Sequence, residues 1–298
     1  MGKLHRSCPN LSCIFSRECS QRFYSRNGSF HCKWSHRNVP RYRCRGCGKS
    51  FSTSTFRSIY WQKKPYLNQA IFDLYSSGTS QRRLAKLLKT NRKTIARKFE
   101  WLARWARREH LSQLRQFENS THVQLDEMES FEHTRLKPLS LCMAVEPDKA
   151  KLIDIQVGTL NYKGRLANFA FSKYGFRKDT SEDACLRVLE GIRNCGIKEV
   201  EITTDGKNSY PKLIKKILPE ARHSAVKIQK ISMVQRLFRK GRRNENDPLF
   251  VLNYMAAKIR HDLSRMARKV WVTTKKASCL QAHLDLYMAY VNGYVLPR

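Results

Sequence analysis

The chain has 298 residues and is 41% hydrophobic, enough for about two domains with sizeable cores. Its 58 Lys and Arg face only 24 Asp and Glu, a net charge of +34. That balance points to a polyanion partner through phosphate neutralisation. No apolar run reaches the ~20 residues of a membrane span, no basic segment carries a lipid-like apolar face, and no apolar leader opens the chain. A cytoplasmic, nucleoid-associated protein without membrane contact is therefore expected, and ten cysteines read as thiols and metal ligands rather than a disulfide framework. The charge is uneven: residues 1–120 hold 26 Lys/Arg against 5 Asp/Glu, and residues 121–298 hold 32 against 19.

Residues 1–60 contain six cysteines, at 8, 13, 19, 32, 44 and 47. Cys44-Arg-Gly-Cys47-Gly is a tight knuckle that aims two thiolates and nearby backbone N–H groups at one ion. Cys8 and Cys13, with four intervening residues instead of two, form a looser first knuckle. The four predict a zinc ribbon, with Cys19, Cys32 and His31 as alternatives within the first pair. Basic residues alongside Trp34, Tyr42 and Phe51 suit a ribbon lying on DNA phosphates.

Residues 61–118 read as a helix-turn-helix domain. Apolar residues at helical spacing mark a helix over 68–76, Ser80 caps a second over 81–88, and a third opens near Thr90 and runs to about Glu109. Ala85 permits close helix crossing, and Arg92, Lys93, Arg97 and Lys98 are expected to face a DNA groove. Trp101 and Trp105, one helical turn apart, read as packing residues. Residues 110–121, polar and poor in apolar side chains, read as a linker.

Residues 119–298 form the third expected domain. The stretch 123–132 alternates apolar and polar residues as a half-buried strand does, with Val123 and Leu125 inward. Asp126 lies in its middle, where a carboxylate is a poor strand residue and costly to bury alone. A bound metal ion is the simplest justification. By strand parity Glu127 and Glu129 point to the other face and read as solvated. Strands over 137–146 and 150–157 complete a meander. A helix over 182–194, a strand over 199–205 ending on Asp205, a helix over 207–218 and a strand within 221–231 follow. A long helix over 247–268 has Leu249, Leu252, Ala256, Ile259, Leu263 and Met266 on one stripe; the stretch 281–291 closes the chain.

Three strands, helix, strand, helix, strand, helix is the order of an RNase H-like fold, so the chain reads as multidomain, with an α+β to α/β catalytic part. In that fold Asp126 and Asp205 converge and can hold Mg2+ or Mn2+ for phosphodiester chemistry. Asn253 is the expected third ligand, with Asp247, Glu245 and Asp262 as alternatives, and Arg260 is placed to hold a DNA phosphate. Seven cations in 227–243, among them Arg239, Lys240, Arg242 and Arg243, read as a DNA clamp. His223 and Cys142, Cys185, Cys195 and Cys279 read as structural.

These pieces together resemble bacterial insertion-sequence transposases of the DDE type, in the group with an amino-terminal zinc ribbon, a helix-turn-helix and a catalytic domain whose third acid is often replaced by Asn. The likeness rests on Cys44-Arg-Gly-Cys47-Gly-Lys-Ser-Phe, Asp126-Glu-Met-Glu, Thr-Asp205-Gly, Asn253-x6-Arg260 and Leu263-Ser-Arg-Met-Ala-Arg-Lys. It spans nearly the whole chain. It implies binding of element ends, metal-dependent cleavage and strand transfer, and a homodimer or larger assembly on DNA. The widened first knuckle and the non-acidic third position depart from the pattern. A DNA-binding protein that has lost the chemistry is the alternative expectation.

Overall fold

The computed structural model describes residues 7–17, 22–33, 36–226, 247–267 and 273–297. The described chain is mixed α and β with two separate sheets. It divides into one unit of residues 1–69 with 295–298 and another of residues 70–294. The three segments expected at 1–60, 61–118 and 119–298 are therefore differently grouped: most of 61–118 belongs to the second unit.

The first unit is built on an antiparallel sheet of β1 (Tyr24–Cys32), β2 (Arg37–Cys44) and β3 (Ser50–Ser52). Nearly every residue of β1 is exposed, so it shows no apolar alternation and sequence pattern gives no sign of it. The small core is Phe23, Tyr24 and Phe51 packed with Cys8, Cys13 and Cys44. Its rings pair edge-on for Phe23 and Tyr24 (5.1 Å) and stacked for Phe23 and Phe51 (6.0 Å).

Three helices lead into the second unit: α1 (Leu67–Ser76), α2 (Gln81–Leu87) and α3 (Arg92–Ser112). Ser80 Oγ accepts the Arg83 N–H at 3.4 Å and Asn91 Oδ1 the Lys93 N–H at 2.8 Å, so both later helices start on side-chain caps. Trp105 is buried. The expected linker over 110–121 is instead the end of α3 and a 3-10 turn, Leu114–Phe117. Leu114 and Phe117 are buried in the core beneath the second sheet, and two such anchors exclude a free tether.

That sheet comprises β4 (His122–Phe131), β5 (Pro138–Glu146), β6 (Lys151–Thr159), β7 (Glu201–Thr204) and β8 (Arg222–Ala225). Its order is β6-β5-β4-β7-β8; β4 to β6 are an antiparallel meander, and β7 and β8 run parallel to β4. The connections supply α4 (Ala167–Tyr174), α5 (Ser181–Asn194), α6 (Tyr210–Ile217), α7 (Phe250–Asp262) and α8 (Ala277–Val291). Val123, Leu125 and Ile202 pack on one face with Val188, Ile192 and Ile214. Met128, Leu141 and Met143 pack on the other with Leu252, Ile259, Leu284 and Met288. With helices on both faces every residue of β5 is buried.

The helix expected over 247–268 stops at Asp262. Leu263 is extended (φ −104°, ψ 102°) and a 3-10 turn, Ser264–Met266, follows. Leu263 and Met266 stay buried all the same. Gly78, at φ +74°, packs so closely here that a Cβ would lie 2.4 Å from the Asp262 carbonyl oxygen. Ser264 Oγ donates to the Gly78 carbonyl at 3.1 Å, and the close backbone approach replaces the last turn of helix.

A buried ion pair fastens α3 to the sheet. Arg107 donates to both oxygens of Asp154 on β6, at 2.7 and 3.2 Å. Asp154 is almost fully buried and also accepts the Gln156 amide and the Ile155 N–H. Removing the cation would strand a buried carboxylate. Arg107→Met should lower the unfolding free energy of this unit by about 3 kcal/mol, read as a lower urea midpoint in circular dichroism. A change under about 0.5 kcal/mol would assign the pair no role in docking α3.

Candidate metal centre and acidic cleft

In the first unit the two knuckles converge. Cys8 Sγ lies 3.6 Å from Cys47 Sγ, Cys13 Sγ lies 3.7 Å from Cys44 Sγ, and all four sulfurs fall within 4.8 Å of one another. A tetrahedral ion with bonds of ~2.3 Å to sulfur separates its ligands by about 3.8 Å, so the quartet has the spacing for a metal such as zinc. Backbone N–H groups support the sulfurs: Asn10 donates to Cys8 Sγ (3.5 Å) and Phe15 to Cys13 Sγ (3.4 Å). Gly48, at φ +71°, turns the chain after Cys47, and its N–H donates to the Cys44 carbonyl.

The thiols are unequal. Backbone donation from Lys49, followed by the Asn10 side chain, lowers the Cys47 thiol to about 6, whereas burial pushes Cys8 up to about 12. Of the two, Cys47 is thus the thiol that ionises more readily. Two of the sequence alternatives fall away: His31 Nδ1 pairs with the Asn38 side chain at 3.3 Å, and neither His31 nor Cys32 belongs to the quartet. Cys19 and Trp34 lie outside the described residues. Tyr42 and Phe51 belong to the small core, not to an open surface.

In the second unit the register of two parallel strands sets the geometry. Leu125 pairs with Thr204, so Asp126 and Asp205, the next residue on each chain, come at the same level of the sheet, where neighbouring strands are ~4.8 Å apart. Both line one cavity of about 930 Å³. Seven of its fifteen lining residues are Asp or Glu and three are Lys, an acidic cleft in a strongly basic chain. Burial, then the nearby charges of Asp205 and Glu127, raise the Asp126 carboxyl to about 6, although the Glu127 N–H donates to it. Asp205 closes its own turn, accepting the Lys207 N–H at 3.2 Å, and Gly206 takes φ +83° there.

Glu127 is not solvated as strand parity suggested. It does point away from Asp126, but both faces of this sheet are covered. Its carboxylate accepts the Ser140 hydroxyl at 2.5 Å and pairs with Lys207 Nζ at 2.6 Å. Glu129 is exposed and pairs with Lys163 at 2.6 Å. Lys207 and Lys163, which sequence reasoning passed over, thus border the cleft; Lys207 stands two residues from Asp205, but only the fold shows where its ammonium goes.

The start of α7 is clamped beside Asp126. Gln124, two residues earlier on the same face of β4, accepts the Leu252 N–H at 2.9 Å and donates to the Pro248 carbonyl at 2.6 Å. Asn253 follows Leu252, is exposed, and donates its amide to Asp247 at 3.1 Å. Asn253, Asp247 and Arg260 are not among the residues lining the cleft. Asp262 accepts the Tyr287 hydroxyl at 2.5 Å instead. Glu245, Arg239, Lys240, Arg242 and Arg243 lie outside the described residues.

On α3, Arg92, Lys93 and Arg97 are exposed, but Lys98 is not. It shares the inward stripe of Ile95, Phe99 and Leu102, and burial lowers its ammonium to about 8. Lys98 therefore cannot face a groove. His223 is structural: its Nε2 pairs with Thr204 Oγ1 at 2.9 Å. Among the described residues no helix is long and apolar enough to cross a membrane. No family model matches the chain, and no curated protein matches it.

Two outcomes test these sites. With the first unit's core so small, metal ligation is folding energy: the purified chain should carry one thiolate-bound metal, and Cys44→Ser should lose it and unfold the first unit while the second unit's thermal transition persists. Elemental analysis with calorimetry reads both. Asp126, with a folded pKa near 6 against an ordinary 3.8, contributes stability below pH 4 that is lost as pH rises through 6. Asp126→Asn should therefore raise stability at pH 7 without divalent ions, on the order of 2 kcal/mol, and the gain should vanish near pH 4.

Proposed function

We propose that this chain is a DNA transposase of the DDE type: it binds element ends and carries out metal-dependent cleavage and strand transfer on an RNase H-like domain. One observation carries the reading. Two aspartates at the same level of adjacent parallel strands line an acidic cleft, within a chain of net charge +34. The strand order β6-β5-β4-β7-β8 supports it, as does the family resemblance of the motifs.

The donor set fits a hard divalent cation such as Mg2+ or Mn2+. Asp126 and Asp205 offer oxygen ligands, and a cation would offset both the burial that chiefly raises Asp126 and the repulsion from Asp205 that adds to it. These two residues would hold it, with Asn253 brought up from α7; when bound it supplies activation of the attacking water or 3′-hydroxyl and stabilises the leaving oxygen. The other groups act without it. Lys207, held by Glu127, presents an ammonium at the cleft where a scissile phosphate must approach. The Gln124 clamp fixes α7 against β4. The capped helices α2 and α3 form the helix-turn-helix, offering Arg92, Lys93 and Arg97 to DNA, and the cysteine quartet with its strands forms the zinc ribbon. Joining two ends requires at least two copies of the chain on DNA.

A second reading, a DNA-binding protein without chemistry, is favoured by one fact: Asn253 and Asp247 stand outside the cleft lining. One experiment separates them, using a duplex taken from the DNA flanking the gene, with Mg2+ or Mn2+. The transposase reading expects 3′-end nicking and joining by the wild type, reduced at least ~10³-fold in both Asp126→Asn and Asp205→Asn, with duplex affinity kept. Salt-sensitive binding with no cleavage in either metal establishes the second reading instead.

A further inference from the structure

The first unit holds a second cavity, of about 750 Å³, lined by the facing ends of β1 and β2 and by residues 53–62. Its walls combine aromatic side chains, Phe30, Tyr60 and Trp61, with the cations Lys33, Arg37 and Arg57. Residues 22–62 contain nine Lys and Arg and no Asp or Glu, so no carboxylate of this segment competes for those cations.

Trp61 is the most telling residue. It is 87% exposed, where burial would be worth most to an indole. Its backbone is left-handed, φ +68°, at the third position of a turn closed by the Gln62 N–H on the Ile59 carbonyl at 3.0 Å. Glycine is the usual residue there, because a side chain in that conformation is strained. An indole kept in a strained turn and in water contributes nothing to the unit's core. The turn holds it next to the Tyr60 ring, centroids 4.9 Å apart, as a fixed aromatic step at the cavity's rim.

We infer that this cavity is a binding site for single-stranded nucleic acid, with bases stacking on Trp61 and Tyr60 and the backbone phosphates on Lys33, Arg37 and Arg57. The chemistry is that of a stacking platform within an electrostatic groove: any base has a π-face, and the phosphates need cations at its side. A duplex hides its base faces, so the platform selects unpaired strands. Aromatic grooves also take proline-rich peptides, but those do not call for a segment with nine cations and no acid. The site is independent of the acidic cleft and of whether the chain cuts DNA.

The test uses the full chain, with its metal retained, in fluorescence anisotropy against a labelled oligothymidylate and a blunt duplex of mixed sequence. Trp61→Ala should weaken oligothymidylate binding about tenfold or more and leave duplex binding unchanged. Trp61→Phe should keep most of the affinity. Trp61→Gly, which relaxes the turn and so cannot fail through strain, should behave as alanine does. Arg37→Ala should lower the affinity and flatten its salt dependence. Unchanged oligothymidylate binding in Trp61→Gly overturns the inference, as does an equal loss on duplex and single strand, or a proline-rich peptide that competes the oligonucleotide away. The outcome does not bear on the transposase reading, which nicking alone decides.

Discussion

The parallel register of β4 and β7 is the constraint on which the second unit turns. Because Leu125 pairs with Thr204, the residues that follow are both forced to the same level of the sheet, and both are aspartates. Seventy-eight positions of intervening chain, carrying β5, β6, α4, α5 and β7, serve to close that juxtaposition. Its cost is visible in Asp126, whose carboxyl burial and the neighbouring charges make reluctant to ionise. A fold rarely retains such a group without a use for it, and perturbed carboxylates in a cleft are the mark of a functional site. The surrounding structure manages the repulsion: Lys207 reaches over to Glu127, and Ser140 satisfies the other carboxylate oxygen.

The same unit uses a charge pair for a different end. Arg107 and Asp154 join α3 to β6, and Gly191 on α5 lacks a side chain where a Cβ would sit 3.1 Å from Asp154. The helix offering Arg92, Lys93 and Arg97 is therefore anchored at its far end to the sheet bearing Asp126. In the first unit order comes from sulfur instead. The aromatic cluster is small, and four thiols at the spacing of a tetrahedral ion could hold a metal that cross-links the unit.

Local pattern was a good guide wherever one face of an element meets water. The alternation of β4, the caps at Ser80 and Asn91, the apolar stripe of α7 and the Cys44–Cys47 knuckle could all be read from the chain, since each follows from residues within a few positions. Asp126 stood out for the same reason, as a carboxylate where a strand residue belongs. Strand β1 was illegible because its side chains are mostly exposed, and β2 because its partly exposed side chains carry no regular period. Glu127 was misplaced because parity tells which face a residue takes, not whether that face is covered. Lys98 was misplaced because a long basic side chain on an inward stripe looks, in sequence, like its exposed neighbours.

What the sequence determined by itself was therefore short-range: element type, capping, two paired cysteines at each end of a segment, and a large excess of positive charge. Which distant groups meet was decided only in three dimensions. The pairing of Cys8 with Cys47, of Asp126 with Asp205, and of Arg107 with Asp154 depends on strand order and helix docking. In the second unit those follow from the burial of two apolar faces, summed over dozens of side chains, and in the first from the packing of the small aromatic core, which no window of sequence contains.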